Sequence, residues 1–83
     1  MSVVRIPPTL RPATGGAREV RASGDTVGEL LDALMSRFPS LRGQLQYANV
    51  YVDGEDVRVL DGDETQVSGD STVILLPAMA GGS

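Results

Sequence analysis

Between Thr26 and Pro39 the apolar residues Val27, Leu30, Leu31, Leu34, Met35 and Phe38 recur at offsets 0, 3, 4, 7, 8 and 11. That spacing lines one face of an α-helix. Thr26, with Glu29 three residues on, supplies a capping box at the start. Pro39 ends the pattern. Met35 and Phe38 belong to the stripe and are expected in the core. One amphipathic helix can cover only one face of a sheet, so the remaining apolar segments must form a sheet beneath it. The expected class is α+β, a mixed sheet with the helix laid across it.

The strands follow from short β-rich runs between turn residues. Val3, Val4 and Ile6 open the chain and stop at Pro7-Pro8. Arg11-Pro12-Ala13-Thr14-Gly15-Gly16 is turn chemistry, and Arg18 to Ala22 alternates polar and apolar like a half-buried strand. After the helix, Leu41 and Leu45 suggest another helical turn. Asn49 to Val52 reads as a strand, Asp53-Gly54 as a tight type I′ turn, and Glu55 to Val59 as the return strand. Asp61-Gly62-Asp63 and Ser68-Gly69-Asp70 mark further turns. Thr72-Val73-Ile74-Leu75-Leu76 is nearly continuous in apolar residues and predicts a central strand buried on both faces, stopped by Pro77.

What such a chain can do is narrowed by what it lacks. Its 83 residues make one domain, which at this size buries only about 60% of the surface of the unfolded chain. That leaves little room for a buried cofactor pocket and argues against a self-contained enzyme. Cysteine and histidine are absent, which removes disulfides, thiol nucleophiles and the commonest general base and metal ligand. The formal net charge is −4 and the seven cations, all arginine, are scattered along the chain, a poor basis for binding nucleic acid. Lysine is absent too; a GC-rich coding sequence accounts for this, and an activated chain end would also gain from having no side-chain amines nearby. No segment has the roughly 20 apolar residues of a membrane span, and Met1 to Pro8 lacks a signal-peptide core. The expected setting is the cytoplasm. The acidic groups Asp53, Glu55, Asp56 and Asp61, Asp63, Glu64 lack calcium-loop spacing and read as solvated turns. Gly15, Gly16 and Gly69 match no phosphate loop.

The tail Ala78-Met79-Ala80-Gly81-Gly82-Ser83 stands apart. We expect a folded domain over 1–77 and a flexible diglycine tail over 78–83. Two glycines in a row can thread a narrow channel, and Pro77 to Gly82, fully extended, reaches roughly 20 Å. A carboxylate there is unreactive until adenylated; sulfide could then leave a thiocarboxylate without any cysteine. Leu76, Pro77, Met79 and Ala80, around the base of the tail, are expected partner contacts.

The strand–strand–helix–strand order, Asn49-Val50-Tyr51-Val52 with Gly54, and the run Ser68-Gly69-Asp70 through Leu76-Pro77-Ala78-Met79-Ala80-Gly81-Gly82 resemble the ubiquitin-like sulfur carriers of the MoaD/ThiS family. Ile6-Pro7, Thr9 to Pro12, Thr14-Gly15-Gly16 and Ala22 to Gly28 look similar to its actinobacterial CysO-type branch. The resemblance spans roughly residues 3 to 82. It implies a ubiquitin-like β-grasp fold of four to five strands with one main helix. It implies that Gly82 is adenylated by a ubiquitin-activating-type enzyme using ATP and magnesium, and that a sulfurtransferase step makes a thiocarboxylate for a sulfur-accepting synthase in the biosynthesis of cysteine or another sulfur metabolite. In this branch a zinc metallopeptidase and a pyridoxal-phosphate synthase act as partners; the carrier binds no cofactor and no metal, has no catalytic residues of its own, and is expected to be monomeric when free, without nucleic-acid or membrane partners. Ser83 follows Gly82, so a processing step between Gly82 and Ser83 is expected. A small subunit of molybdopterin synthase, a ubiquitin-like protein modifier and a plain interaction module with an inert tail remain alternatives.

Overall fold

The computed structural model of the chain describes residues 1–45 and 48–77. Five strands, β1 (Ser2–Arg5), β2 (Glu19–Ala22), β3 (Ala48–Val52), β4 (Glu55–Asp56) and β5 (Thr72–Pro77), form one sheet in the order β2-β1-β5-β3-β4. Among these, β1 and β5 run parallel, with Val3 opposite Thr72 and Arg5 opposite Ile74. The other pairs are antiparallel. Helix α1 (Val27–Arg37) lies over one face.

The helix forms where its stripe requires. Val27, Leu30 and Leu34 are fully buried, and Leu31, Met35 and Phe38 pack half-buried against the core. Glu29 donates its backbone N–H to Thr26 Oγ1 at 3.3 Å, while the Glu29 carboxylate accepts from the backbone of Asp25 at 2.9 Å. The reciprocal arm of the capping box thus reaches one residue further back than in the usual motif. Removing the Thr26 hydroxyl in Thr26→Ala should cost about 1 kcal/mol, read as a melting temperature lowered by roughly 4–8 °C.

Sheet and helix meet through alternating positions. Val4, Val20, Ala22, Val50, Val52, Val73 and Leu75 point from the sheet into the core. Leu10, Leu41, Leu45 and Val57, from the connecting segments, close its edges. Asp53 and Gly54 make the β3–β4 turn with φ of 50° and 89°, the double positive φ of a type I′ turn. Asp53 also fastens the turn to β5: its carboxylate accepts from Thr72 N and its own N–H donates to Thr72 O, both at 2.9 Å.

Three expectations change. The segment Pro8–Thr14 is a 3₁₀ helix ending at Gly15 and Gly16, with φ of 68° and 89°, and not a plain turn. The return strand is only Glu55–Asp56, because the Asp56 carboxylate accepts from the Arg58 backbone at 2.8 Å and bends the chain into a 3₁₀ turn over Val57–Val59. Most important, β5 is central but not buried on both faces. Val73 and Leu75 are enclosed, Thr72 and Ile74 are half-buried, and Leu76 is 42% exposed.

Candidate functional site

The C-terminal motif follows β5, so the site is built from the end of the sheet that launches it. Gly81, Gly82, Ser83, Met79 and Ala80 lie outside the described residues. Pro77 is the last residue of β5 and faces Ala48 of β3; Leu76 faces Asn49. Both residues are thus held in the sheet until the chain leaves it, and Leu76 presents its side chain on the face away from α1.

That outer face is more apolar than a solvated sheet face requires. The register places Glu19, Arg5, Ile74, Tyr51 and Asp56 in one row across all five strands. Val3 and Thr72 sit in the row behind, Asn49 and Leu76 in the row ahead. Val3, Ile74, Tyr51 and Leu76 therefore make an apolar strip leading to the start of the tail, with Arg5 on one flank and Asp56 on the other. At the Asp56 edge, the Arg58 guanidinium sits 2.7 Å from the carboxylate. This hydrogen bond, helped by the Arg58 backbone N–H, holds Asp56 below the usual carboxylate range and raises Arg58 in turn. Both shifts favour the ionised pair.

Ile74 and Tyr51 were not singled out by sequence reasoning, which assigned the whole β5 run to the interior. A nearly continuous apolar run is the pattern of a strand buried on both faces, so nothing within β5 itself marked Ile74 as facing outward. The arginines also differ from expectation. They are not scattered in space: Arg5, Arg11 and Arg18 line one cleft of about 350 Å³ with Ile6 and Glu19. The acidic turns have structural roles or stand in solvent: Asp53 ties β5, Asp56 pairs with Arg58, and Glu55, Asp61, Asp63 and Glu64 are exposed. Among the described residues no group of three acidic side chains is placed to hold a metal ion, and no helix is long and apolar enough to cross a membrane.

The sequence pattern of the ThiS family matches residues 4–82, from the first buried valine of β1 through the second tail glycine. The chain belongs to the ThiS family. Among curated ThiS-family relatives, the sulfur carrier protein CysO of Mycobacterium tuberculosis is 42% identical over 89 aligned residues, which cover 95% of this chain and 96% of that protein. Solved structures agree. A chain of the Amycolatopsis orientalis BexX/CysO complex is 40% identical and superposes with a TM-score of 0.87 over 98% of this chain and 99% of that one. Mycobacterium tuberculosis CysO is 35% identical with a TM-score of 0.88 over 95% and 100%. The small archaeal modifier protein 1 of Methanosarcina acetivorans is 26% identical with a TM-score of 0.83 over 96% and 94%. The ubiquitin-like β-grasp fold is therefore common to this chain and to relatives of both kinds.

Proposed function

We propose that this ThiS-family chain is a sulfur carrier whose reactive group is the carboxylate of Gly82, released from Ser83. The observation that supports this best is the near full-length match to CysO, in a family pattern that runs through Gly82. In the first step a partner enzyme joins the Gly82 carboxylate oxygen to the α-phosphorus of ATP, and pyrophosphate leaves. Sulfur from a sulfurtransferase then attacks the carbonyl carbon, AMP leaves, and the chain ends in a thiocarboxylate. That sulfur passes to an acceptor on a synthase, and water or a peptidase restores the carboxylate. The carrier is a substrate throughout. Its domain contributes recognition and its tail contributes reach, since function in such a fold resides in the partner pairing. ATP and magnesium belong to the adenylating enzyme. A cytoplasmic setting, where these partners and ATP are found, fits this reading.

Intact-mass measurement tests it. The chain ending at Gly82, incubated with the adenylating enzyme, ATP and a sulfide source, should gain the mass of one oxygen-to-sulfur exchange. A second reading, attachment through Gly82 to lysines of other proteins, is favoured by the likeness to the archaeal modifier protein. It would leave Gly-Gly remnants on target lysines in place of sulfur on the carrier.

Partner recognition is assigned to the apolar strip of the outer face. Leu76 is already exposed, so Leu76→Glu should leave the melting temperature unchanged. It should weaken binding to the adenylating enzyme about tenfold, equivalent to about 1.4 kcal/mol, measurable by calorimetry. An unchanged affinity would remove Leu76 from the interface.

A further inference from the structure

Three of the seven cations of this acidic chain gather in one place. The hairpin accounts for it. Arg5 and Glu19 are opposite one another in the β1–β2 register. Ile6 then donates its N–H to Arg18 O at 2.8 Å, which carries the pairing one step beyond the strands. Arg11, from the 3₁₀ segment, folds back and donates Nε–H to Ile6 O at 3.1 Å. The resulting cleft of about 350 Å³ is lined by Arg5, Arg11 and Arg18 against one carboxylate, that of Glu19. Arg5 and Glu19 are 3.9 Å apart with side chains 61% and 60% exposed, a pair that neutralises little. Among the described residues, Arg11 and Arg18 have no carboxylate within ion-pairing distance. The cleft is thus a positive site on a protein of net charge −4.

Its position matters as much as its charge. β1 lies beside β5 and runs parallel to it, with Arg5 level with Ile74. The cleft therefore opens at the end of the sheet from which the chain continues past Pro77, one strand across.

We propose that this cleft is an electrostatic docking surface for an acidic rim on the adenylating enzyme that activates Gly82. The proposal rests on the carrier function argued above. The reacting phosphates are bound by the adenylating enzyme itself, beside a carboxylate that the tail can carry up to roughly 20 Å from the sheet. Nucleic acid is disfavoured because its affinity comes from many neutralised phosphates, and this surface offers three arginines on an acidic chain. Carboxylates on a protein rim fit, because the planar guanidinium pairs with them in a two-pronged geometry. Charge at the edge of an interface mainly speeds encounter and orients the partners. That suits a carrier that must leave each partner after transfer.

The test uses the chain ending at Gly82 and the adenylating enzyme of the same organism, with pyrophosphate release as the readout. Arg5 and Arg18 are changed together to Gln; Arg11 is kept because its hydrogen bond shapes the loop. KM for the carrier should rise about tenfold at low salt with kcat unchanged. The difference should largely vanish at about 0.5 M salt, where surface charges are screened. Arg21→Gln with Arg42→Gln removes the same charge outside the cleft and should change KM less than twofold. Thermal melting of both variants checks that the fold is intact. An unchanged KM and salt dependence in the Arg5/Arg18 variant would overturn the proposal, as would an equal rise in both variants. So would resonance shifts confined to Arg5, Arg11 and Arg18 when inorganic phosphate or ATP is titrated into the isolated carrier, because the cleft would then be a small-anion site. A wild-type chain that is not adenylated at all would count first against the carrier function and take this proposal with it.

Discussion

A chain that ends at Gly82 should exchange one carboxylate oxygen for sulfur, and a chain that keeps Ser83 should not. The reason is covalent. With Ser83 attached, the Gly82 carbonyl is part of an amide, with no carboxylate oxygen available to attack the α-phosphorus of ATP. Mixing each form with the adenylating enzyme, ATP and sulfide, and recording intact mass, separates the two outcomes completely. Adding a peptidase that removes Ser83 should restore the exchange, with loss of the serine mass appearing first. Between the glycines the effect is graded. Gly81→Val leaves the carboxylate in place but adds a branched side chain to the segment proposed to thread a narrow channel of the partner. A misplacement of the order of 1 Å at a reacting centre can cost about 100-fold in rate, so sulfur uptake by this variant should slow by about that factor while the β-grasp domain melts as before. Sulfur uptake by the Ser83 form without prior loss of serine would refute the assignment of Gly82 as the reactive residue.

How far the sequence foretold the structure depends on the range of the forces involved. Helix α1 and its cap were legible because periodicity and capping are local: Val27, Leu30 and Leu34 are buried as their spacing requires, and Thr26 caps as its position requires. The Asp53-Gly54 turn was legible for the same reason. The end of β4 was not, since a single side-chain contact from Asp56 to the Arg58 backbone converts the expected strand into a 3₁₀ turn. The largest difference is on β5. A run of apolar residues carries no record of which face the helix will cover, so the whole run read as interior, Leu76 included although it was also expected at a partner contact, when only Val73 and Leu75 are enclosed. The arginine cleft was invisible for a related reason. Arg5, Arg11 and Arg18 come from a strand, a 3₁₀ segment and a loop, and only the hairpin register and the Arg11–Ile6 hydrogen bond bring them together. The tail residues 78–83 lie outside the described residues, so their reading rests on residue type and order alone.

Gly24→Ala should be among the most damaging single changes available outside the tail, although it adds one methyl group. Gly24 lies in the short link from β2 to α1, at the end of the sheet opposite the tail. A Cβ built there would stand 2.6 Å from Leu30 N and 3.0 Å from Glu29 C and Leu30 Cα. These are backbone atoms of the first turn of α1, so no side-chain rotation can relieve the contact. Either the helix shifts along the sheet, disturbing the packing of Leu30 and Leu34 in the core, or the link moves and the Thr26 cap is lost. Overpacking of this kind costs about 1–3 kcal/mol and occasionally more; with backbone on both sides of the contact, about 3 kcal/mol is expected. A domain of this length has roughly 4–12 kcal/mol of stability in all, and the melting temperature should fall by roughly 12–24 °C. Gly69→Ala is the matched comparison: its nearest neighbour would be Met1 N at 3.6 Å, an ordinary contact, and its melting temperature should stay within a few degrees. Below its own transition, the Gly24→Ala protein should still be adenylated at Gly82 with nearly unchanged kcat, because the altered link and the tail are at opposite ends of the sheet. Equal melting temperatures for the two alanine variants would show that α1 is not held against the link as closely as the 2.6 Å approach requires.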